Sequence, residues 1–394
     1  MAKLQEVNLK DYGISTTLGF LLSRPLEKLP AYFESWNSLA LEAPILASRD
    51  KTLRERVHTL PLLDHERLTT YRELRLAHLI LCAIATGYIW QEGDQGVPNV
   101  LPRTLAVPWC GVSKRLGLQP VINHATFCLA NVKIKDPERP VDLSNLKCVY
   151  EVVPGGRQAE WFIIVTAMIE HDFSPAITMI VEAISAADKD DVIMYKKSMA
   201  GIRDVVNKMK NTFSKMHDEL DADVFYNVLR PYLNGWGGNG SSLPEGLIYE
   251  GASEEPQKMI GGSAAQSSSL QLVDAALGVE HDKDIEEFLN KMRSYMPPKH
   301  AEFIELISRE TNLRQYAADN RGGDIKISYN EVVQAVINFR SYHIQIVTKY
   351  IIITSNKETR SRDYESVSKK GTGGSSLIPF LKCIREATVR TLID

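Results

Sequence analysis

Cysteine is scarce in this chain and poorly placed for pairing. The five residues, Cys82, Cys110, Cys128, Cys148 and Cys383, include no CxxC pair, and their number is odd. That argues against a disulfide framework and against a zinc or iron–sulfur site. A reducing compartment, and so a cytoplasmic location, is expected. Charge of one sign is also lacking: 46 Lys and Arg face 49 Asp and Glu, mixed along the chain, for a net charge of -3. Without a basic stripe to follow a phosphate backbone, nucleic acid is not an expected partner. No apolar run is long enough for a membrane span. The longest, LAHLILCAIATGYIW from Leu76 to Trp90, carries His78 and is expected to be a buried helix, with no membrane as partner. The opening MAKLQEVNLKDYGIS has no apolar core followed by a cleavage site, so no secretory signal is expected. There is no internal repeat, and a monomer is expected.

What is present is the composition of an ordinary globular protein, 44% apolar and 24% charged. A length of 394 residues exceeds one small core, so two domains are expected. Helical periodicity dominates. Thr69 to Trp90 fits one long helix with Thr69 or Thr70 as its cap. Leu101 to Pro120, interrupted by prolines and Gly111, predicts a loop with short helical pieces. DPERPVD, Asp136 to Asp142, predicts a surface turn. KCVYEVV, Lys147 to Val153, is the best strand candidate. Beyond it helix follows helix: Trp161–Ala186, Asp190–Leu220, Asp221–Leu233, Ser267–Leu277, Asp284–Tyr295, Lys299–Glu310, Tyr329–Thr354 and Ser376–Leu392. The expected fold class is mainly α. A smaller mixed, mostly helical N-terminal domain covers 1–154, with its boundary near Pro154, and a large all-helical domain covers 155–394. Two glycine-rich turns, GWGGNGSS from Gly235 and GGSAAQSSS from Gly261, interrupt the helices. The polar tract Ser355 to Ser376 cannot bury a core and is expected to be a mobile loop or lid.

Four of the nine histidines, His65, His171, His217 and His281, sit in polar company and are expected to be solvated. His343 differs. It lies in the helix expected from Tyr329 to Thr354, for which Ser328 and Glu331 suggest a capping box. Apolar or weakly polar positions recur at Val332, Val336, Phe339, Val347, Tyr350 and Thr354, and His343 falls in the gap on that stripe. An inward-facing imidazole needs a partner, either a carbonyl or hydroxyl or a metal. On the pattern alone, a hydrogen-bonded core histidine is the commoner case. No other His, Cys, Asp or Glu shares the stripe, which argues against a multi-ligand zinc site. A single protein ligand is what haem iron requires.

RSYHIQIVTKYI, Arg340 to Ile351, resembles the proximal-histidine helix of the indoleamine 2,3-dioxygenase family. LANVKIKDP (Leu129 to Pro137), FYNVLRPYLNGW (Phe225 to Trp236) and GLIYEG (Gly246 to Gly251) match in order. GGSAAQSS (Gly261 to Ser268), MRSYMPPKH (Met292 to His300) and GTGG (Gly371 to Gly374) follow. The resemblance covers nearly the whole chain. It implies a small N-terminal domain, a large helical domain holding haem b, and insertion of both atoms of dioxygen across the indole C2–C3 bond of tryptophan to give N-formylkynurenine. The partners implied are tryptophan or a related indoleamine and dioxygen.

By that resemblance His343 is the proximal iron ligand. Arg230 pairs with the substrate carboxylate, a role its planar fork suits, while Pro231 predicts a bend just after it. Phe225 and Tyr226 stack on the indole, with Phe162 on the far wall, and Thr166 sits near bound oxygen. Gly261, Gly262, Ser263 and Ala264 line the distal haem face, where small residues let the backbone approach a flat macrocycle. Thr372, between the glycines of the loop, meets the substrate ammonium group. Asp274 and Arg340 form a structural ion pair. The oxygen chemistry belongs to the haem, so no Ser/His/Asp or paired-carboxylate constellation is required. Taken by residue type alone, Arg230 fits a surface position equally well, and aromatic residues at helical spacing are more often core than pocket. Three positions depart from mammalian members or from some of the family: Tyr226 replaces a phenylalanine, and His124 and Phe127 replace tyrosine and cysteine. HATFCLAN, FYNVLRP and PLLDHERLTTYRELRLAHL also resemble the gastropod myoglobins that descend from this family. The alternative function is therefore reversible oxygen binding without tryptophan turnover.

Overall fold

The structure is a computed structural model that describes residues 7–238, 241–320, 323–356 and 377–394. The polar tract with Thr372 and the GTGG motif lies outside the described residues, except for Ser355 and Asn356. Helices make up most of the chain. The first, α1 (Glu34–Ile45) and α2 (Leu53–His58), precede α3 (Tyr71–Trp90). Thr70 caps α3 through a reciprocal pair with Glu73, worth about 1 kcal/mol. Almost every residue of α3 is buried, so it is the interior helix its composition predicted, although at 20 residues it is longer than its apolar run.

Helix α4 (Arg103–Leu116) corrects the expectation of a broken loop. Pro102 precedes its first turn, where a missing donor costs nothing, and Pro108 is tolerated within it. Gly111 does not break the helix because it serves packing: a Cβ there would collide with the His65 ring. Two short ladders pair Val132–Ile134 with Leu146–Cys148, antiparallel, and Val100–Leu101 with Ile248–Tyr249, parallel. The strand expected at Lys147 is thus real but only three residues long.

The expected run from Trp161 divides into α5 (Arg157–Asp172) and α6 (Ser174–Asp188). Pro175 is the cause: it sits in the first turn of α6 and disfavours continuous helix before it. Then come α7 (Val192–Ser214), the short α8 (Met216–Glu219) and α9 (Ala222–Val224), and α10 (Ser268–Leu277). After these follow α11 (Lys283–Arg293), α12 (Pro298–Glu310), α13 (Leu313–Asp319), α14 (Gly323–Val347) and α15 (Leu377–Val389). Helix α7 packs against α5, α6 and α14, and α15 lies along α14. The apolar core is continuous from Ile14 to Ile351.

The proposed capping box at Ser328 is not a helix start. Helix α14 begins five residues earlier at Gly323. Ser328 instead bonds the Asp324 carbonyl within the helix, and Glu331 pairs with Arg203. The stripe itself holds: Val332, Val336, Phe339, Val347, Tyr350 and Thr354 are all buried.

Candidate active site

The cavity is framed by segments whose backbone departs from regular α geometry. Ala125–Leu129, Phe225–Leu229 and Thr348–Ile353 are π-helical, an arrangement frequent at functional sites because it re-aims side chains. The second runs into a tight 3-10 turn, Arg230–Leu233, so the bend expected at Pro231 is present.

Two cavities adjoin there, of about 150 and 180 Å³, and His343 lines both. Phe162, Gly262, Ser263 and Ala264 line both as well. Thr166, His124, Phe127, Cys128 and Glu170 line the first only, and Phe225 and Arg230 the second only. The structure therefore brings together most of the residues expected from sequence. Tyr226 is buried but lines neither cavity among the described residues. The Arg230 guanidinium lies over its ring, 5.6 Å from the centroid.

His343 is deep in the protein yet keeps accessible surface, because that surface faces the cavities. Burial first, and the nearby Arg340 charge second, push its pKa down to about 4. The ring is neutral at physiological pH and has a lone pair to donate. Among the described residues no protein group hydrogen-bonds either ring nitrogen. Phe213 and Phe339 pack around it, with Phe213 at 5.6 Å between ring centroids. Across the slot, a side chain added at Gly262 would meet nothing within 4 Å, whereas one at Gly261 would strike the backbone of Leu233 and Gly235. Gly262 leaves open space and Gly261 permits the close approach that forms the wall.

Phe127, Phe162, Phe225 and Tyr350 form an aromatic chain with centroid separations of 6.1, 5.3 and 5.7 Å. Thr166 donates its hydroxyl proton to the Phe162 carbonyl at 2.7 Å, which leaves its oxygen lone pairs as acceptors. Arg230 is 1% exposed on a mostly apolar wall. Burial lowers its pKa to about 10, with Tyr226 opposing, so it stays charged near neutrality.

Three features were not anticipated. Glu170, one turn beyond Thr166, accepts hydrogen bonds from Ser267 and Ser269 and pairs with the His124 ring at 2.9 Å. Burial opposes charge on both partners, but the pairing wins. Cys128 and Glu170 hold His124 well above the usual imidazole range, and His124, Ser267 and Ser269 hold Glu170 below the usual carboxylate range. The sequence signal for Glu170 was its spacing: Phe162, Thr166 and Glu170 recur every four residues on one helix face. Second, His281 is not solvated; its side chain is 7% exposed and bonds Asp274 at 3.3 Å. His217 likewise stacks on Tyr350, and His171 buries a ring nitrogen. Third, Leu377, Phe380 and Leu381 of α15 close the second cavity. The Asp274–Arg340 pair is present as expected, with both carboxylate oxygens 2.6 Å from Arg340 Nη2.

The sequence pattern of the family described as Indoleamine 2,3-dioxygenase matches residues 8–391. The chain belongs to the indoleamine 2,3-dioxygenase family. It is 40% identical over 392 residues to Indoleamine 2,3-dioxygenase 2 of Mus musculus, covering 98% of this chain and 96% of that one. It is 39% identical over 393 residues to Indoleamine 2,3-dioxygenase 1 of Rattus norvegicus, with the same coverage. A Myoglobin of Haliotis madaka is 38% identical over 386 residues, covering 98% of this chain and 99% of that one. Haem suits the donor set of this indoleamine 2,3-dioxygenase family member. One neutral imidazole faces a slot walled by aromatic and small residues. No group of three or more His, Cys, Asp or Glu side chains that could hold a metal ion exists among the described residues.

Proposed function

We propose that the protein holds haem b through His343 and oxidises tryptophan or a related indoleamine to N-formylkynurenine, adding both oxygen atoms across the indole C2–C3 bond. The observation that carries this reading is a pairing on one cavity system. A neutral imidazole with no hydrogen-bond partner among the described residues and a buried guanidinium line the same mostly apolar space. Haem held by His343 would supply the iron on which the oxygen chemistry depends. The protein's own residues do the rest. Arg230 receives the substrate carboxylate in two parallel hydrogen bonds. Tyr226 backs that guanidinium and fixes its approach. Phe162 and Phe225, 5.3 Å apart, bracket the indole. The Thr166 oxygen, with its proton committed to Phe162, offers an acceptor to a polar group of the ligand. Ser263 and Ala264, with Gly262, keep the wall thin, and the apolar lining excludes water, which strengthens each of these polar contacts. On its motif alone, Thr372 is assigned to the substrate ammonium group. The protein is proposed to act as a cytoplasmic monomer on small molecules, without nucleic acid or membrane.

The test is turnover. Ferrous protein, tryptophan, dioxygen and a reductant should give N-formylkynurenine, followed by absorbance. A second reading, reversible oxygen storage, is favoured by the abalone myoglobin, which matches over nearly the whole chain at an identity close to that of the dioxygenases. A long-lived oxygenated spectrum with no product would establish it and overturn the first.

A further inference from the structure

Ser267 and Leu270, at the start of α10, line the first cavity together with His343, and buried carboxylates fix this helix at its first turn and again two turns on. At its N-terminus, Ser267 caps the helix by accepting from Leu270 N, and Ser267 and Ser269 both donate hydroxyl protons to Glu170 of α5. Glu170 thus bonds the first turn of α10 from the helix that carries Phe162 and Thr166. A carboxylate at a helix N-terminus is also favoured by the helix dipole. Two turns on, Asp274 grips Arg340 through both oxygens. Arg340 precedes His343 by three residues, so the two lie on neighbouring positions of one face of α14. Arg340 is itself held against α15 through the Ile384 carbonyl and the Thr388 hydroxyl.

The segment leading into α10 is tied to the same point. Gln266 Nε2 donates to the Gly261 carbonyl at 2.9 Å, and the His124 backbone N–H donates to Gln266 Oε1 at 3.0 Å. The His124 ring completes the anchor on Glu170. All these partners are buried. A ten-residue helix is about 15 Å long and stiff along its axis. A displacement of its first turn is therefore carried to Asp274 and on to Arg340.

We propose that Glu170, backed by His124, is a positioning residue for His343, with α10 as the strut that links the substrate side of the slot to the iron ligand on the other side. This rests on the haem-binding reading above. Glu170 does not touch His343; it acts through Ser267, Ser269, Asp274 and Arg340 in turn. The consequence is that a change confined to the substrate side alters the bond between the proximal imidazole and iron.

The experiment is resonance Raman spectroscopy of the ferrous, ligand-free holoprotein, reading the iron–histidine stretching band. Glu170→Gln and, more gently, Ser269→Ala should move or broaden that band and release haem to an acceptor protein severalfold faster. Asp274→Asn serves as the positive control. Thr70→Ala, which weakens a helix cap remote from the strut, should leave the band where it is. A band unmoved in both Glu170→Gln and Ser269→Ala, with Asp274→Asn shifting it, overturns the strut. If Glu170→Gln does not fold, Ser269→Ala decides alone. Failure of the unaltered protein to bind haem at all would overturn the underlying reading instead, and the Soret band distinguishes the two cases.

Discussion

His124 and His343 are both imidazoles lining one cavity deep in the protein, and the protein drives them in opposite directions. His343 has apolar and aromatic neighbours and a nearby cation, Arg340. Burial prevails, and the ring stays neutral. His124 is the less accessible of the two but has the Glu170 carboxylate at 2.9 Å and Cys128 beside it, so its charged form prevails. The residue type is the same; the partner decides. A neutral ring keeps a lone pair for a metal. A charged ring can only donate, and it serves here as a fixed counter-ion. The difference separates a ligand from a structural anchor within one cavity.

The sharpest way to break that comparison is to remove the neutral ring. His343→Ala should abolish the Soret band of protein incubated with hemin while leaving far-ultraviolet circular dichroism unchanged. A normal Soret band would return His343 to the ranks of core histidines.

Next in size is the loss of one half of the charged pair. Glu170→Leu leaves the His124 cation buried without its counter-ion, which should cost about 3–5 kcal/mol of stability in urea unfolding. Replacing both, His124→Leu with Glu170→Leu, removes the uncompensated charge and should cost clearly less than the single change. Additive losses would show that the pair does not act as a unit. Arg230→Ala is smaller again. Charged hydrogen bonds contribute about 1.5–3 kcal/mol, so the tryptophan KM should rise roughly ten- to a hundredfold while haem content stays constant. Unchanged kinetics would mean that the carboxylate is held elsewhere.

Much of this was legible in the residues because single faces of single helices carry it. The stripe through Phe339, His343 and Val347 gave an inward imidazole, and the family resemblance placed Phe162 and Thr166. Other features depend on contacts that no local pattern records. Gly111 looked like a helix breaker because the His65 ring that needs its bare Cα lies about 46 positions away. His281 looked solvated in a run of charged residues, yet Asp274 draws it inward. Ser328 and Glu331 have the spacing of a cap, but spacing cannot tell a helix start from a helix interior. Tyr226 was expected to stack on the indole, but in the π-turn there it lies against the Arg230 guanidinium and out of the cavity lining.

The smallest expected effect is on the shape of a pH curve, and it tests both imidazoles at once. The haem-free protein is used so that His343 carries no metal. The folded-state pKa of His343 is about 4, below the value near 6.5 of an unfolded chain. Between those values the unfolded state binds more protons, so stability rises with pH. His78 and His300, both lowered to about 3 by burial, act in the same direction. His124 is raised to about 10, so from pH 6.5 upward the folded state binds more protons and stability falls. Each group contributes at most about 1.4 kcal/mol per pH unit. Urea midpoints should therefore peak near pH 6.5. The double change His124→Leu with Glu170→Leu should flatten the fall between pH 7 and pH 9 and leave the rise from about pH 5 to 6.5 in place, because Glu170, held below the usual carboxylate range, acts only at lower pH. An unaltered alkaline slope in that variant would mean that His124 is not the proton holder.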